Sequence, residues 1–210
     1  MPKGYWIPHL DVSNPQGFQA YRDAADAAHK RFGSKLLARA GRREVLEGTM
    51  RSRNVLREFN SYDEAQAFYR GPDYSAAHPL REPHSECDFL IVEGYDGPQP
   101  PPIGTPPAPA ELKGYWIAHV DVSDAEGYKA YIAANQAAFG KFGARYLVRA
   151  GRCKTMEGHL RSRTVVLEFP SYAAALGCYH SPEYQAAKKL RDGKAEADLV
   201  VIEGYDDKQT

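Results

Sequence analysis

Two histidines are the first candidates for chemistry in this chain. His9 stands in KGYWIPHLDVS, and His119 stands in KGYWIAHVDVS, the same phrase met again further along. An imidazole titrates near neutral pH, so beside a carboxylate it can act as a general base. The second phrase is followed by Arg149 in RYLVRAGR and Glu168 in VVLEFPSY, and the first by Arg39 and Glu58 at the matching places. A guanidinium holds a carboxylate or an enolate-like oxygen through paired hydrogen bonds. Tyr62 and Tyr172 each follow a serine that begins a helix, where the ring can reach the edge of a cavity. These residues suggest proton transfer, with His119 and His9 as bases and Glu168 and Glu58 orienting them. Arg149, Arg39, Tyr172 and Tyr62 would hold a small polar or aromatic acid. The competing reading is non-catalytic: Arg149 and Glu168 close a buried ion pair, and His119 donates into that network.

Other residues offer less. Arg51 and Arg53, repeated as Arg161 and Arg163, form an RSR pattern that can grip a phosphate but reads more simply as a solvated hairpin edge. Asp11 and Asp121 end a strand and are expected to bond local backbone. Cys87, Cys153 and Cys178 have no cysteine at the matching place of the other copy and suit a reducing compartment. No zinc-ligand spacing, phosphate loop, dinucleotide fingerprint or nucleophile elbow occurs, and no cofactor is called for. Lys plus Arg and Asp plus Glu both total 27, a balance that argues against an extended nucleic-acid footprint. No apolar run approaches bilayer length, and MPKGYWIPHLDV begins a repeat where a signal peptide would need an apolar core, so the expected location is the cytoplasm.

The scaffold that carries these residues comes from a duplication. Residues 3–96 align with 113–206 without a gap, which divides the chain into a first repeat (1–96), a Pro-rich linker (97–110) and a second repeat (111–207). The linker GPQPPPIGTPPAPA favours extended polyproline conformation and acts as a semi-stiff spacer. Each repeat reads strand, helix, strand, strand, helix, strand. In the second, strands are expected at Tyr115–Val122, Arg145–Cys153, Thr164–Phe169 and Asp198–Glu203. Ser123 with Glu126, and Ser13 in the first copy, are expected to cap the first helix; Ser171 caps the second, which restarts at SPEY. The order βαββαβ is the ferredoxin-like split motif, an α+β fold with both helices on one face of an antiparallel sheet. Two such units packed sheet to sheet would cover each other's open faces, giving an internal pseudo-dimer that leaves room for further homodimerisation.

Alternation places Trp116, Ala118 and Val120 under the helices, and His119, Arg149, Glu168 and Glu203 on the opposite face, with any ligand between the sheets. A bulge would reverse part of this. Arg57 is a misfit, because it falls on the apolar floor.

The phrases GYWIAHVDV, RYLVRAGR, VVLEFPSY and CYHSPEYQAAKKLR resemble the family of small proteins grouped as domain of unknown function 1330. The second repeat matches nearly end to end. The first departs in places, with EFNSY for EFPSY and YRGPDYSAAHPLR for YHSPEYQAAKKLR. The resemblance implies the dimeric α/β-barrel group, in which single ferredoxin-like units pair sheet to sheet. It carries no agreed activity. Members of the wider group include cofactor-free monooxygenases, muconolactone isomerase-like proteins, haem-dependent enzymes and stress-response proteins. The resemblance fixes no haem ligand in this chain, where His119 is the one candidate.

Overall fold

The computed structural model describes residues 1–206, so the expected end of the second repeat at 207 lies outside the described residues. The chain forms two compact units. The first comprises Met1–Ala40, Arg51–Tyr95 and Gly151–Leu160; the second comprises Gly41–Met50, Asp96–Ala150 and the described residues from Arg161 onward. Each repeat therefore gives a short arm to the unit built mainly by the other.

The first unit is built on β1 (Gly4–Val12), α1 (Phe18–Phe32), β2 (Lys35–Arg39), β4 (Arg53–Phe59), α2 (Tyr62–Arg70), α3 (Pro72–Ala77) and β5 (Ser85–Glu93), while β3 (Arg43–Glu47) leaves for the second. The second unit is built on β6 (Gly114–Val122), α4 (Ala125–Lys141), β7 (Arg145–Arg149), β9 (Arg163–Phe169), α5 (Tyr172–His180), α6 (Pro182–Lys189) and β10 (Ala195–Glu203), and β8 (Cys153–Glu157) joins the first. The sheets run β2-β4-β1-β5-β8 and β3-β10-β6-β9-β7. Four strands of each give the antiparallel ferredoxin-like order, and the fifth is the arm. The fold is α+β in both units.

The arm corrects one expected element. Arg145–Cys153 is not one strand but β7 and β8 separated by a corner, where Ala150 takes the left-handed conformation (φ 52) and Ala40 does the same in the first repeat (φ 56). A β-carbon strains that conformation, so the surrounding contacts must hold it. Glycine comes next at both corners because the backbone passes close to a strand end: a β-carbon on Gly151 would stand 2.4 Å from the Glu93 carbonyl oxygen. Beyond the corner, the Glu93 amide donates to the Arg152 carbonyl at 2.8 Å, and the Glu203 amide donates to that of Arg42 at 2.8 Å. The arm thus satisfies the backbone groups of an edge strand that the four-stranded motif would leave open.

The helices start largely where the sequence places them. Ser61 and Ser171 accept from the Glu64 and Ala174 amides at 3.1 and 3.0 Å, and Ser181 restarts the broken helix with Pro182 at its first position. The first-helix caps differ. Asp124, one residue past Ser123, caps α4 by accepting from the Gly127 amide, and Asn14 accepts from the Gly17 amide before α1. In the first repeat the helix itself begins at Phe18, after Gly17. Trp6 and Trp116 anchor the helix-facing cores, their indole Nε1 donating to the Ala65 and Ala175 carbonyls at 3.0 Å. In the first unit Trp6 packs among Phe59, Phe68, Tyr74 and Phe89. Buried aromatics of this size carry much of the burial energy of a small core.

Candidate functional site

The expected histidine–carboxylate pairs do not form. In the second unit His119 faces Thr164 across the β6–β9 ladder, whereas Glu168 faces Tyr115. Four residues of strand separate the two, about 13 Å at about 3.3 Å per residue. His119 is fully buried and its Nδ1 lies 3.1 Å from Thr164 Oγ1; Glu168 accepts from Lys113 Nζ at 2.6 Å and from the Tyr115 hydroxyl at 3.4 Å. The first unit repeats the pattern. His9 Nδ1 lies 2.6 Å from Asn54 Oδ1, and Glu58 accepts from the Tyr5 hydroxyl at 3.0 Å.

The arginines lie on the other side of the sheet. Pairing of β7 with β9 shifts register between Tyr146 and Val148, and pairing of β2 with β4 shifts between Leu36 and Ala38. The extra residue reverses the alternation along the rest of each strand. Arg149 and Arg39 therefore join the face that carries Trp116 and Trp6, under the helices and away from His119 and His9. The face expected for both arginines is corrected, and with it the bridge expected between Arg149 and Glu168.

On this helix-facing side each unit contains a cavity. In the second unit it lies between α4 and the sheet, a half-open cavity of ≈ 50 Å³. Its lining combines three guanidiniums (Arg149, Arg163, Arg191) with Tyr128, Tyr131, Tyr146 and Tyr184, and contains no Asp or Glu. Arg149 stacks on Tyr146 with its guanidinium carbon 4.7 Å from the ring centroid, and the Tyr146 hydroxyl accepts from Gln136 Nε2 at 2.8 Å. Arg191 donates through Nη2 to both oxygens of Glu47, on the arm strand β3, at 2.5 Å. The Nε atoms of Arg163 and Arg191 are buried without a hydrogen-bond partner. Burial lifts the Tyr128 phenol to about 12 and that of Tyr184 well above its ordinary value, so both are neutral hydrogen-bond groups.

The first unit's cavity, of ≈ 60 Å³, is lined by more charged side chains. Arg22, Arg39, Arg53 and Arg57 line it with Asp26, His29, Tyr21 and Tyr74. Arg39 Nη1 donates to both Asp26 oxygens at 2.7 and 2.8 Å, and Arg57 Nη2 approaches Asp26 at 3.5 Å. This explains the misfit of Arg57 on an apolar floor: its head reaches a cavity that its counterpart Leu167 lines as hydrocarbon. Burial, and then the charges of Arg57 and Arg39, hold the His29 imidazole down to about 2, so it is neutral.

Tyr62 and Tyr172, which begin α2 and α5, are covered by arginines that lead into the arms. Arg152 lies over the Tyr62 ring at 4.3 Å, and Arg42 lies over the Tyr172 ring at 4.9 Å. The RSR repeats divide between two tasks. Arg51 is ringed by Asp11, Glu86 and Asp88, and Arg161 by Asp121, Glu196 and Asp198, while Arg53 and Arg163 line the cavities. Sequence reasoning missed Arg163, Arg191, Arg53, Arg22 and Asp26 as cavity residues. Spacing offered a signal for Arg53 and Arg163, which begin the strand that carries Arg57 or Leu167. It offered none for Arg191, whose position depends on the arm.

The family model described as domain of unknown function (DUF1330) matches residues 3–95 and again 113–205. Among solved structures the chain is similar to chlorite dismutase from Candidatus Nitrospira defluvii in complex with imidazole, with TM-score 0.59, 8% identity, and coverage of 97% of this chain and 91% of that one. It is also similar to an anthrone oxidase-like protein, with TM-score 0.53, 9% identity, and coverage of 98% and 92%. At such identities the likeness shows the fold alone. No curated protein matches the chain. Among the described residues no helix is long and apolar enough to cross a membrane.

Proposed function

We propose that this chain, which belongs to the DUF1330 family through both of its repeats, binds a small aromatic acid as its anion in the helix-side cavity of the second unit. The observation that carries the reading is the gathering of three guanidiniums, Arg149, Arg163 and Arg191, around a cavity lined by no carboxylate, with the Nε–H donors of Arg163 and Arg191 buried and without acceptors. Buried donors of a charged group are costly to leave unpaired, and a carboxylate oxygen satisfies them. The ring faces of Tyr128, Tyr131 and Tyr184 supply apolar and edge contacts for an aromatic body. The cavity's ≈ 50 Å³ is well below the roughly 150 Å³ of a cavity that closes over benzene. A cavity of this size takes the carboxylate at the guanidiniums and leaves the ring toward the half-open side.

Binding, not proton abstraction, is the role proposed. The titratable lining groups of this cavity are phenols and guanidiniums, and neither is a base near neutral pH. His119 is read as a structural residue bonded to Thr164. The anthrone oxidase-like protein of the same fold is consistent with an aromatic ligand and adds nothing on chemistry.

Calorimetric titration with benzoate tests the reading. Saturable binding is expected, with Arg163→Met weakening it about tenfold or more, as for a lost charge-assisted hydrogen bond. Arg163→Lys controls for folding, and His119→Asn is expected to leave affinity unchanged. Absence of saturation, or full affinity in Arg163→Met, overturns it.

A further inference from the structure

We infer that the first unit's cavity is a second, chemically different site, built for a compact dianion of the phosphate kind. Between the two cavities the lining gains polar side chains at three positions and loses one guanidinium, since Arg191 lines the second and its counterpart Arg81 does not line the first. Arg22 replaces Ile132, Arg57 replaces Leu167 and His29 replaces Phe139, while Leu36 stands where Tyr146 lines the second. Aliphatic surface has been exchanged for charge at Arg22 and Arg57, and an aromatic ring for a neutral imidazole at His29. Four guanidiniums and one carboxylate, Asp26, line this cavity, and Arg39 and Arg57 engage that carboxylate. Among the described residues, neither Arg22 nor Arg53 is in an ion pair: Arg22 donates to Gln19, and Arg53 lies over the Phe18 ring at 5.8 Å. Arg53 is also close enough to Arg39 and Arg22 that, after burial, their charges disfavour its own.

A surplus of positive charge in a half-enclosed site costs free energy that a bound anion returns. Guanidiniums suit a tetrahedral oxyanion because their planar forks present two N–H groups to two oxygens. A dianion is favoured over a monoanion because Asp26 occupies part of the positive field and must be outcompeted. The cavity's ≈ 60 Å³ suits a compact group over a ring. Arg22 is exposed at the rim, where it can meet an anion arriving from solvent.

Titration of the full chain with inorganic phosphate, followed by calorimetry and by phosphorus NMR line width, tests this site apart from the aromatic-acid site. Expected is saturable binding weakened about ten- to a hundredfold by Arg53→Met and unchanged by Arg163→Met. Asp26→Asn is expected to tighten binding about tenfold, a gain that loss of structure cannot mimic. Melting temperature reports whether each variant folds, and Arg53→Lys keeps the test alive if Arg53→Met does not. No saturation by phosphate overturns the inference, as does loss in Arg163→Met with Arg53→Met unaffected, or weaker binding in folded Asp26→Asn.

Discussion

Replacing Glu157 with Gln probes the arm in the first unit, because the change keeps size and removes charge. Arg81 is 2% exposed, and its Nη2 donates to Glu157 Oε2 at 2.5 Å. Glu157 Oε1 lies 3.0 Å from His78 Nε2 and accepts from the Tyr69 hydroxyl at 3.3 Å. A neutral amide in place of this carboxylate would leave the Arg81 guanidinium buried with no counter-charge. Breaking a buried pair from one side costs about 3–5 kcal/mol. The Glu157 side chain keeps 21% of its exposure, so water screens part of the loss and the low end, about 3 kcal/mol, applies. For a chain of this length that lowers the melting temperature by roughly 6–12 °C. The double variant Glu157→Gln/Arg81→Met removes the stranded charge and is expected to recover part of the loss, a coupling that a double-mutant cycle measures. Scanning calorimetry and urea unfolding supply the values. A single variant within about 1 kcal/mol of the parent, or strictly additive losses in the double, would refute the claim that this pair locks the arm.

Two further perturbations test other parts of the structure. His29 is held down to about 2 in the folded chain and titrates at its ordinary value when unfolded, so the unfolded chain binds the extra proton as pH falls below about 6.5. The stability it contributes is full above that pH and declines by up to about 1.4 kcal/mol per pH unit below it. His29→Phe, the residue type at Phe139, is expected to flatten this limb in urea unfolding between about pH 6.5 and 4, and an unchanged slope contradicts the burial argument. At the arm corners, Gly151→Ala would set a β-carbon 2.4 Å from the Glu93 oxygen, against 3.0 Å from the Glu203 oxygen for Gly41→Ala. The first is expected to cost about 1–3 kcal/mol and the second less; equal costs in parallel melts would remove close approach as the reason for glycine.

Much of this architecture is legible in the amino-acid order. The duplication and the βαββαβ order show in the repeat and its patterning. The Ser61 and Ser171 caps and the restart at SPEY depend on contacts within a few residues, which local chemistry decides. The caps expected at Ser13 and Ser123 form one residue later, at Asn14 and Asp124. The positions of Trp6 and Trp116 under the helices follow from strand alternation, which holds while a strand is regular. The site is harder to read because Arg149, Arg39 and Arg191 depend on exceptions to local rules. One extra residue between Tyr146 and Val148 moves Arg149 to the opposite face, and no propensity announces where a bulge falls. Arg191 meets Glu47 only because β3 leaves its own repeat to pair with β10, a choice made by the open edge of a distant strand. The order of residues is enough to dictate two ferredoxin-like repeats and to supply the side-chain types that line their cavities. Which of those side chains face one another is settled only in three dimensions, because register shifts and strand exchange are fixed by hydrogen bonds between segments far apart in the chain.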